Sequence, residues 1–301
     1  MLEAFVSSTI AMAAPLLLAA LGELVVEQSG VINIGIEGIM LASAFSAMAG
    51  GYFGHSLLIG LVGAIVTGLL MCALLAVLVV NLAVNQVVAG TALDLFALGL
   101  TGVLYRRVFS ATGTAFTVAG LPHLELGPLT RMPMLGPALF HHNALVYLAA
   151  VLVPLTSLAL NRTPFGLRLR AAGERPQAAD ALGMNVYRLR WEALMISGVL
   201  TGLSGAYLSL GYANTFVEGM SAGRGFVALA VVILGQWTAP GVALGALLFG
   251  GAMALQFTLQ AAGTHLPYQL FLALPYLLTL VVLTPMGGHG RAPSALGEPY
   301  L

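Results

Sequence analysis

Acidic and amide side chains crowd one stretch of the chain, Gly22–Gly38, where Glu23, Glu27, Asn33 and Glu37 stand among apolar residues and four glycines. Glu23–Glu27 and Asn33–Glu37 are each spaced i,i+4, so each pair could share one helix face. Ionisable groups beside hydrocarbon are costly and face a cavity or a partner. The functional reading is a broken segment lining a path for a polar solute. The plain reading is a polar turn between two helices, capped by Ser29 or Asn33. A second group, Asn85, Gln86, Thr91 and Asp94, opens another apolar run. Asn85 and Gln86 match ordinary headgroup-level residues. Asp94 lies about seven residues into a span and either bonds a neighbouring helix or faces the path. A third group, Gly223-Arg224-Gly225, places a cation at the mouth of a short span. It reads as an irregular start to a half-helix, or as a snorkelling surface arginine. The solute-path candidates are therefore Asn33, Glu37, Asn85, Gln86, Thr91, Asp94 and Arg224, with Phe96 as a stacking surface.

None of this is catalytic chemistry. His55 and His141-His142 fall in loops, with no carboxylate at zincin spacing, and read as solvent-facing. The single cysteine, Cys72, supports neither a disulfide framework nor a thiol-metal site. No metal or cofactor is expected. The chain contains no lysine, and a P-loop needs one to hold phosphates. Any ATP-driven work must come from a separate chain.

The elements that must position these groups are membrane helices. The 301 residues are 59% hydrophobic and 7% charged, against about 25% charged in soluble domains. Apolar runs repeatedly reach the ~20 residues that a helix needs to cross a bilayer. The expected fold is all-α, a single polytopic transmembrane domain over residues 1–301 with about eight to ten helices and a broken or short helix in each half. Candidate spans are Phe5–Leu21, Ile34–Ala49, Leu57–Val80, Val87–Tyr105, Ala144–Leu160, Ala193–Leu210, Phe226–Trp237, Val242–Leu259 and Leu270–Leu283. Leu2–Leu21 lacks a basic n-region and reads as a retained helix rather than a signal peptide. Gly198–Gly202 and Gly241–Gly245 are small-xxx-small pairs, read as internal helix packing. Trp237 and Tyr276 read as interface anchors.

Residues 161–190 interrupt this membrane pattern. Six of the eleven basic residues lie here: Arg162, Arg168, Arg170, Arg175, Arg188 and Arg190. Positive charge beside spans marks the cytoplasmic side, which puts the N-terminus outside and Arg291 inside. Arg106, Arg107 and Arg131 fall on a long external loop, where the charge rule is weak. Within the basic loop, Pro176-Gln-Ala-Ala-Asp-Ala-Leu-Gly183 has a proline start and a glycine stop, the marks of a short, deliberately terminated helix. Such a helix suits a motor protein that pushes on the membrane part.

Four blocks, Gly22–Phe45, Asn85–Gly102, Thr163–Val186 and Gly219–Trp237, together resemble permease subunits of ABC importers for simple sugars and nucleosides. The resemblance is strongest to the smaller of the two paired permeases of nucleoside importers. It implies a ribose-permease-type bundle, a sugar-type tandem ATPase, a second related permease and an extracytoplasmic substrate-binding lipoprotein at a bacterial plasma membrane. Such permeases carry an EAA-xxx-G signature that docks on the ATPase. Here it reads Gln177-Ala178-Ala179-Asp180-Ala181-Leu182-Gly183 after Pro176, with Gln for Glu. Asp94 stands where such permeases often carry Asn. The alternatives are a branched-chain amino-acid ABC permease, an ion-coupled secondary transporter using Glu37 and Asp94, and a membrane scaffold. The signature helix would be idle in a secondary transporter.

Overall fold

The computed structural model describes residues 2–109, 117–125, 136–261, 277 and 292–300. Helix α1 (Leu2–Glu27) is followed by a non-helical connection and α2 (Ile36–Gly54). Then come α3 (Leu57–Ala76) and α4 (Gln86–Phe109). A short antiparallel pair, β1 (His123–Glu125) and β2 (His141–Asn143), brackets α5 (Gly136–Phe140). After α6 (Ala144–Arg162) come α7 (Pro164–Glu174) and α8 (Pro176–Ala181). The last described helices are α9 (Val186–Ala206), α10 (Arg224–Leu234) and α11 (Ala239–Ala261). Among the described residues seven helices are long and apolar enough to cross a membrane, and α10 is a shorter apolar helix. The chain is a multi-pass helical bundle, as the composition requires. The expected span Leu270–Leu283 lies outside the described residues apart from Leu277, as do Tyr276, Arg131 and Arg291.

Helix α9 forms the centre of the bundle, packed against α1, α2 and α3. Its residues from Ser197 to Leu210 are almost all buried, which small side chains permit. Gly198 and Gly202 lie against Gly68 and Ala64 of α3, so this small-xxx-small pair is internal packing. Both α3 and α9 widen into i→i+5 turns at their ends, over Val77–Asn81 and Tyr207–Ala213. Faces of α3 and α4 carrying Val62, Val66, Leu70, Leu95 and Phe96 remain exposed, as helices bordering lipid would be.

Several boundaries depart from the sequence reading. Helix α1 continues past Leu21 to Glu27, because Glu23 and Glu27 are both buried within the bundle and find partners there. Helix α9 starts at Val186 rather than Ala193, and its Arg190 is buried rather than part of a solvated loop. His142 is buried too, its ring at 2.8 Å from the Ala138 carbonyl. Burial pushes this imidazole below its ordinary value, against the opposing effect of the Ala138 carbonyl, which accepts from the ring. His142 is therefore a packing group, not a solvent-facing one.

Candidate solute path and coupling site

The connection Gln28–Gly35 leaves one end of the bundle and climbs into it as non-helical chain, a turn on either side of the irregular stretch 31–33. Non-helical backbone inside hydrocarbon must find hydrogen-bond partners. Gln86 supplies one, its Oε1 accepting from Ile32 N–H at 2.7 Å. Glu23 supplies another, its Oε1 accepting from Asn33 N–H at 2.9 Å. Asn33 is thus not helical, and it does not share a face with Glu37 as the i,i+4 spacing suggested. Its side chain is fully buried, and neither Oδ1 nor Nδ2 has a partner among the described residues. Glu23 Oε2, Gln86 Nε2 and Asp94 Oδ2 are likewise buried and unpartnered there.

Above this connection the first turns of α2 and α10 meet. A helix start leaves its N–H groups unsatisfied and carries partial positive charge. Asp94 of α4 meets that need for α2, its Oδ1 accepting from Gly38 N–H at 2.6 Å. Glu37 of α2 does the same for α10. Its Oε1 accepts from Gly223 N–H at 2.7 Å, and its Oε2 from Gly225 N–H at 2.6 Å. Glycine makes this approach possible: a Cβ on Gly38 would lie 2.7 Å from Asp94 Cα, and one on Gly225 2.5 Å from Glu37 Cα. Asp94 sits about 12 Å of helix rise above the start of α4, and α10 descends about 16 Å from Arg224. Both measures put the junction deep in the bundle.

Helix α10 is held at its lower end as well. Trp237 Nε1 donates to the Glu27 carboxylate, and Gln28 Nε2 donates to the Trp237 carbonyl at 3.1 Å. Trp237 is thereby a tether rather than a free interface anchor. A polar cavity of about 240 Å³ at this end is lined by Gln28, Asn161, Arg170, Glu174, Gln236 and Trp237, joining α10 to the loop after α6.

The remaining path candidates do not converge on the junction. Arg224 turns back on its own segment, donating to the carbonyls of Met220 at 2.9 Å and Ser221 at 3.2 Å. Asn85 caps α4 by accepting from Val87 and Val88 N–H, and Thr91 bonds the Val87 carbonyl of its own helix. Both lie exposed on α4, as does Phe96. The sequence reading missed Gly38, Gly223 and Gly225 as ligands of the two carboxylates. The glycine-rich starts of the short spans were the available signal. A cavity of about 830 Å³ opens elsewhere, between the α2–α3 turn and Thr117–Ala119.

On the face where the connection begins, α8 matches the expected Pro176 start and glycine stop. Leu182 closes it, and Gly183 takes the left-handed conformation at φ +81°, its N–H donating to the Asp180 carbonyl at 2.8 Å. Pro176 and Ala179 are buried against the chain itself, whereas Gln177, Ala178 and Leu182 are exposed. Ala179 therefore cannot present its side chain to another protein. The outward face is Gln177, Ala178, Asp180, Ala181 and Leu182. Among the described residues no cluster of His, Cys, Asp or Glu is placed to hold a metal.

The chain matches the family model for the branched-chain amino acid transport system / permease component over residues 5–283. It belongs to that family of transport permeases. It is 35% identical to the guanosine ABC transporter permease protein NupQ of Bacillus subtilis, with 100% of this chain and 97% of that protein covered. It is 36% identical to the nucleoside ABC transporter permease protein NupC of Lactococcus lactis, over 100% of this chain and 97% of the relative. A putative glucose ABC transporter permease protein of Haloferax volcanii is 34% identical over 92% of this chain and 90% of its own length. No solved structure matches. The chain is thus a membrane-spanning transport component rather than an enzyme.

Proposed function

We propose that this chain forms the membrane path of an ATP-driven importer for nucleosides, in the plasma membrane of a bacterium. A separate ATPase docks on the outward face of α8. A second, related permease completes the path, and an extracytoplasmic lipoprotein delivers the solute. The observation that carries this reading is the disposition of charge at the junction. Glu37 spends both carboxylate oxygens on the start of α10, and Asp94 spends one on the start of α2. Among the described residues the one cation beside the junction, Arg224, is turned onto the Met220 and Ser221 carbonyls, so the junction offers chiefly amides and backbone dipoles rather than a cation aimed at an amino-acid carboxylate. That suits a neutral, polar, ring-shaped solute. It also leaves an ion-coupled mechanism without its carboxylate pair. The names of the Bacillus and Lactococcus relatives favour nucleosides, and that of the Haloferax relative makes a simple sugar the second reading.

The test is reconstitution of the permease with its ATPase, second permease and binding protein in proteoliposomes. Labelled guanosine should enter only with ATP, and unlabelled adenosine or guanosine should compete while leucine does not. Leucine uptake at a comparable rate would overturn the solute class. Guanosine uptake that survives loss of the ATPase and collapses with an uncoupler would overturn the mechanism.

A further inference from the structure

The segment Pro293–Tyr300 runs across the face that carries α7 and α8, and it touches parts of the chain far apart in sequence. Ala295 N–H donates to the Gly173 carbonyl of α7 at 3.0 Å, and Gly297 N–H donates to the Gly30 carbonyl at the same distance. The Ser294 backbone and hydroxyl both donate to the Glu174 carboxylate, at 3.3 and 2.6 Å. At the far end the Tyr300 ring lies 5.4 Å from that of Tyr187 and 5.8 Å from the Arg190 guanidinium carbon. Its hydroxyl lies beside the Asp180 carboxylate of α8.

Two features make this more than a loose end lying on a surface. Arg190 is 1% exposed, and its Nη1 donates to the Glu298 carbonyl at 3.3 Å. Its Nε and Nη2 have no partner among the described residues. Burying a cation without a carboxylate is costly, so the carbonyl and ring that the segment brings are what this side chain has gained. The second feature is close packing of backbone on backbone. A Cβ on Gly173 would lie 2.4 Å from the Gln28 carbonyl oxygen, and one on Gly30 would lie 3.2 Å from the Ala295 carbonyl oxygen. The segment, α7 and the foot of the α1–α2 connection therefore move together. From Gly30 the chain passes through the irregular stretch 31–33 and a turn at 34–35, held by Gln86 and Glu23, and then reaches Glu37.

We propose that Pro293–Tyr300, pinned by Arg190, is a positioning strap that joins α8 to the foot of the α1–α2 connection. Displacement of α8 by the ATPase then reaches the Glu37 junction through Gly30. This rests on the reading of α8 as the ATPase contact. The test uses the complete reconstituted transporter and guanosine-loaded binding protein, with the chain stopped after Pro293. The truncated permease should reach the membrane, hold its ATPase and keep basal hydrolysis. Stimulation by the loaded binding protein, and uptake, should fall about tenfold, within the usual range of coupling between sites. Tyr300→Ala should fall in the same direction, and Tyr300→Phe should recover part of the loss. Combining Arg190→Ala with the truncation should cost no more than either alone, since both act through one contact.

Full stimulation and uptake in the truncated permease would overturn the strap. So would loss of the ATPase on purification, which would make the segment part of the docking surface. If truncation lowers membrane abundance, Tyr300→Ala is judged by the same two criteria. Ala178→Arg, on the outward face of α8 and away from the strap, separates the two readings. If it still binds ATPase and transports, the α8 contact has failed whatever the strap does.

Discussion

Glu37 caps a helix whose start lies 186 residues further along the chain, and this long-range bond is what sequence spacing could not reveal. The stretch Gly22–Gly38 announces an unusual concentration of polar groups, but i,i+4 arithmetic assumes a continuous helix. The break at Gln28–Gly35 removes that assumption, and Asn33 and Glu37 part company. Glu37→Gln keeps one acceptor oxygen and turns an amide NH₂ toward the other glycine N–H. Hydrogen bonds to charged groups are worth about 1.5–3 kcal/mol, so the first turn of α10 should loosen by about that amount. Hydrogen exchange over Gly225–Val227 should quicken and uptake should fall. Unchanged protection would return the carboxylate to the solute. Asn33→Leu probes the opposite case. It replaces a buried amide without partners, whose burial costs about 1–3 kcal/mol, by an apolar group of similar size. The variant should be as abundant as the parent and unfold at a higher temperature. If Asn33 faces the solute during transport, uptake nonetheless falls. Normal uptake by the stabilised variant would remove Asn33 from the path.

At the level of elements, the short helix α8 was legible because its signals are local. Proline fixes the first turn and glycine the stop, and neither depends on distant chain. Which side faces outward was not legible, since six residues give no periodicity to read. The structure settles it by burying Ala179 and exposing Ala178. Two substitutions of the same chemistry one residue apart should therefore diverge. Ala178→Arg should leave the permease abundant in the membrane and reduce co-purification of the ATPase. Ala179→Arg drives a charge into packed chain and should lower abundance before any docking is measured. Equal behaviour of the two would contradict the assigned face. Gly183→Val tests the stop itself. No atom lies within 4 Å of where its Cβ would be, so the strain comes only from the left-handed backbone, about 1–2 kcal/mol. It should leave abundance unchanged and lower guanosine-stimulated hydrolysis, and full stimulation would show that the stop can be remodelled freely.

For the whole molecule, the broken helices and the two faces of the bundle follow from one topology. The loop carrying α7 and α8, the foot at Gly30 and the segment Pro293–Tyr300 share a face. Arg168, Arg170, Arg175 and Arg188 gather there, as cytoplasmic loops favour. On the opposite face one of the basic residues is paired: Arg106 and Glu218 form an exposed ion pair at 3.1 Å. Surface pairs of this kind contribute little stability, about 0–1 kcal/mol, but they reduce the unbalanced positive charge on that face. The charge asymmetry thus predicts an orientation that labelling can check. Cys72 is the sole thiol and is buried, so replacing it by serine gives a quiet background. Single cysteines at Arg188 and Ser294 should react with a membrane-impermeant maleimide only after cells are opened. Cysteines at His55 and Glu218 should react in intact cells. Labelling of Arg188→Cys from outside would invert the molecule, place α8 beyond reach of a cytoplasmic ATPase, and remove the physical basis for coupling through it.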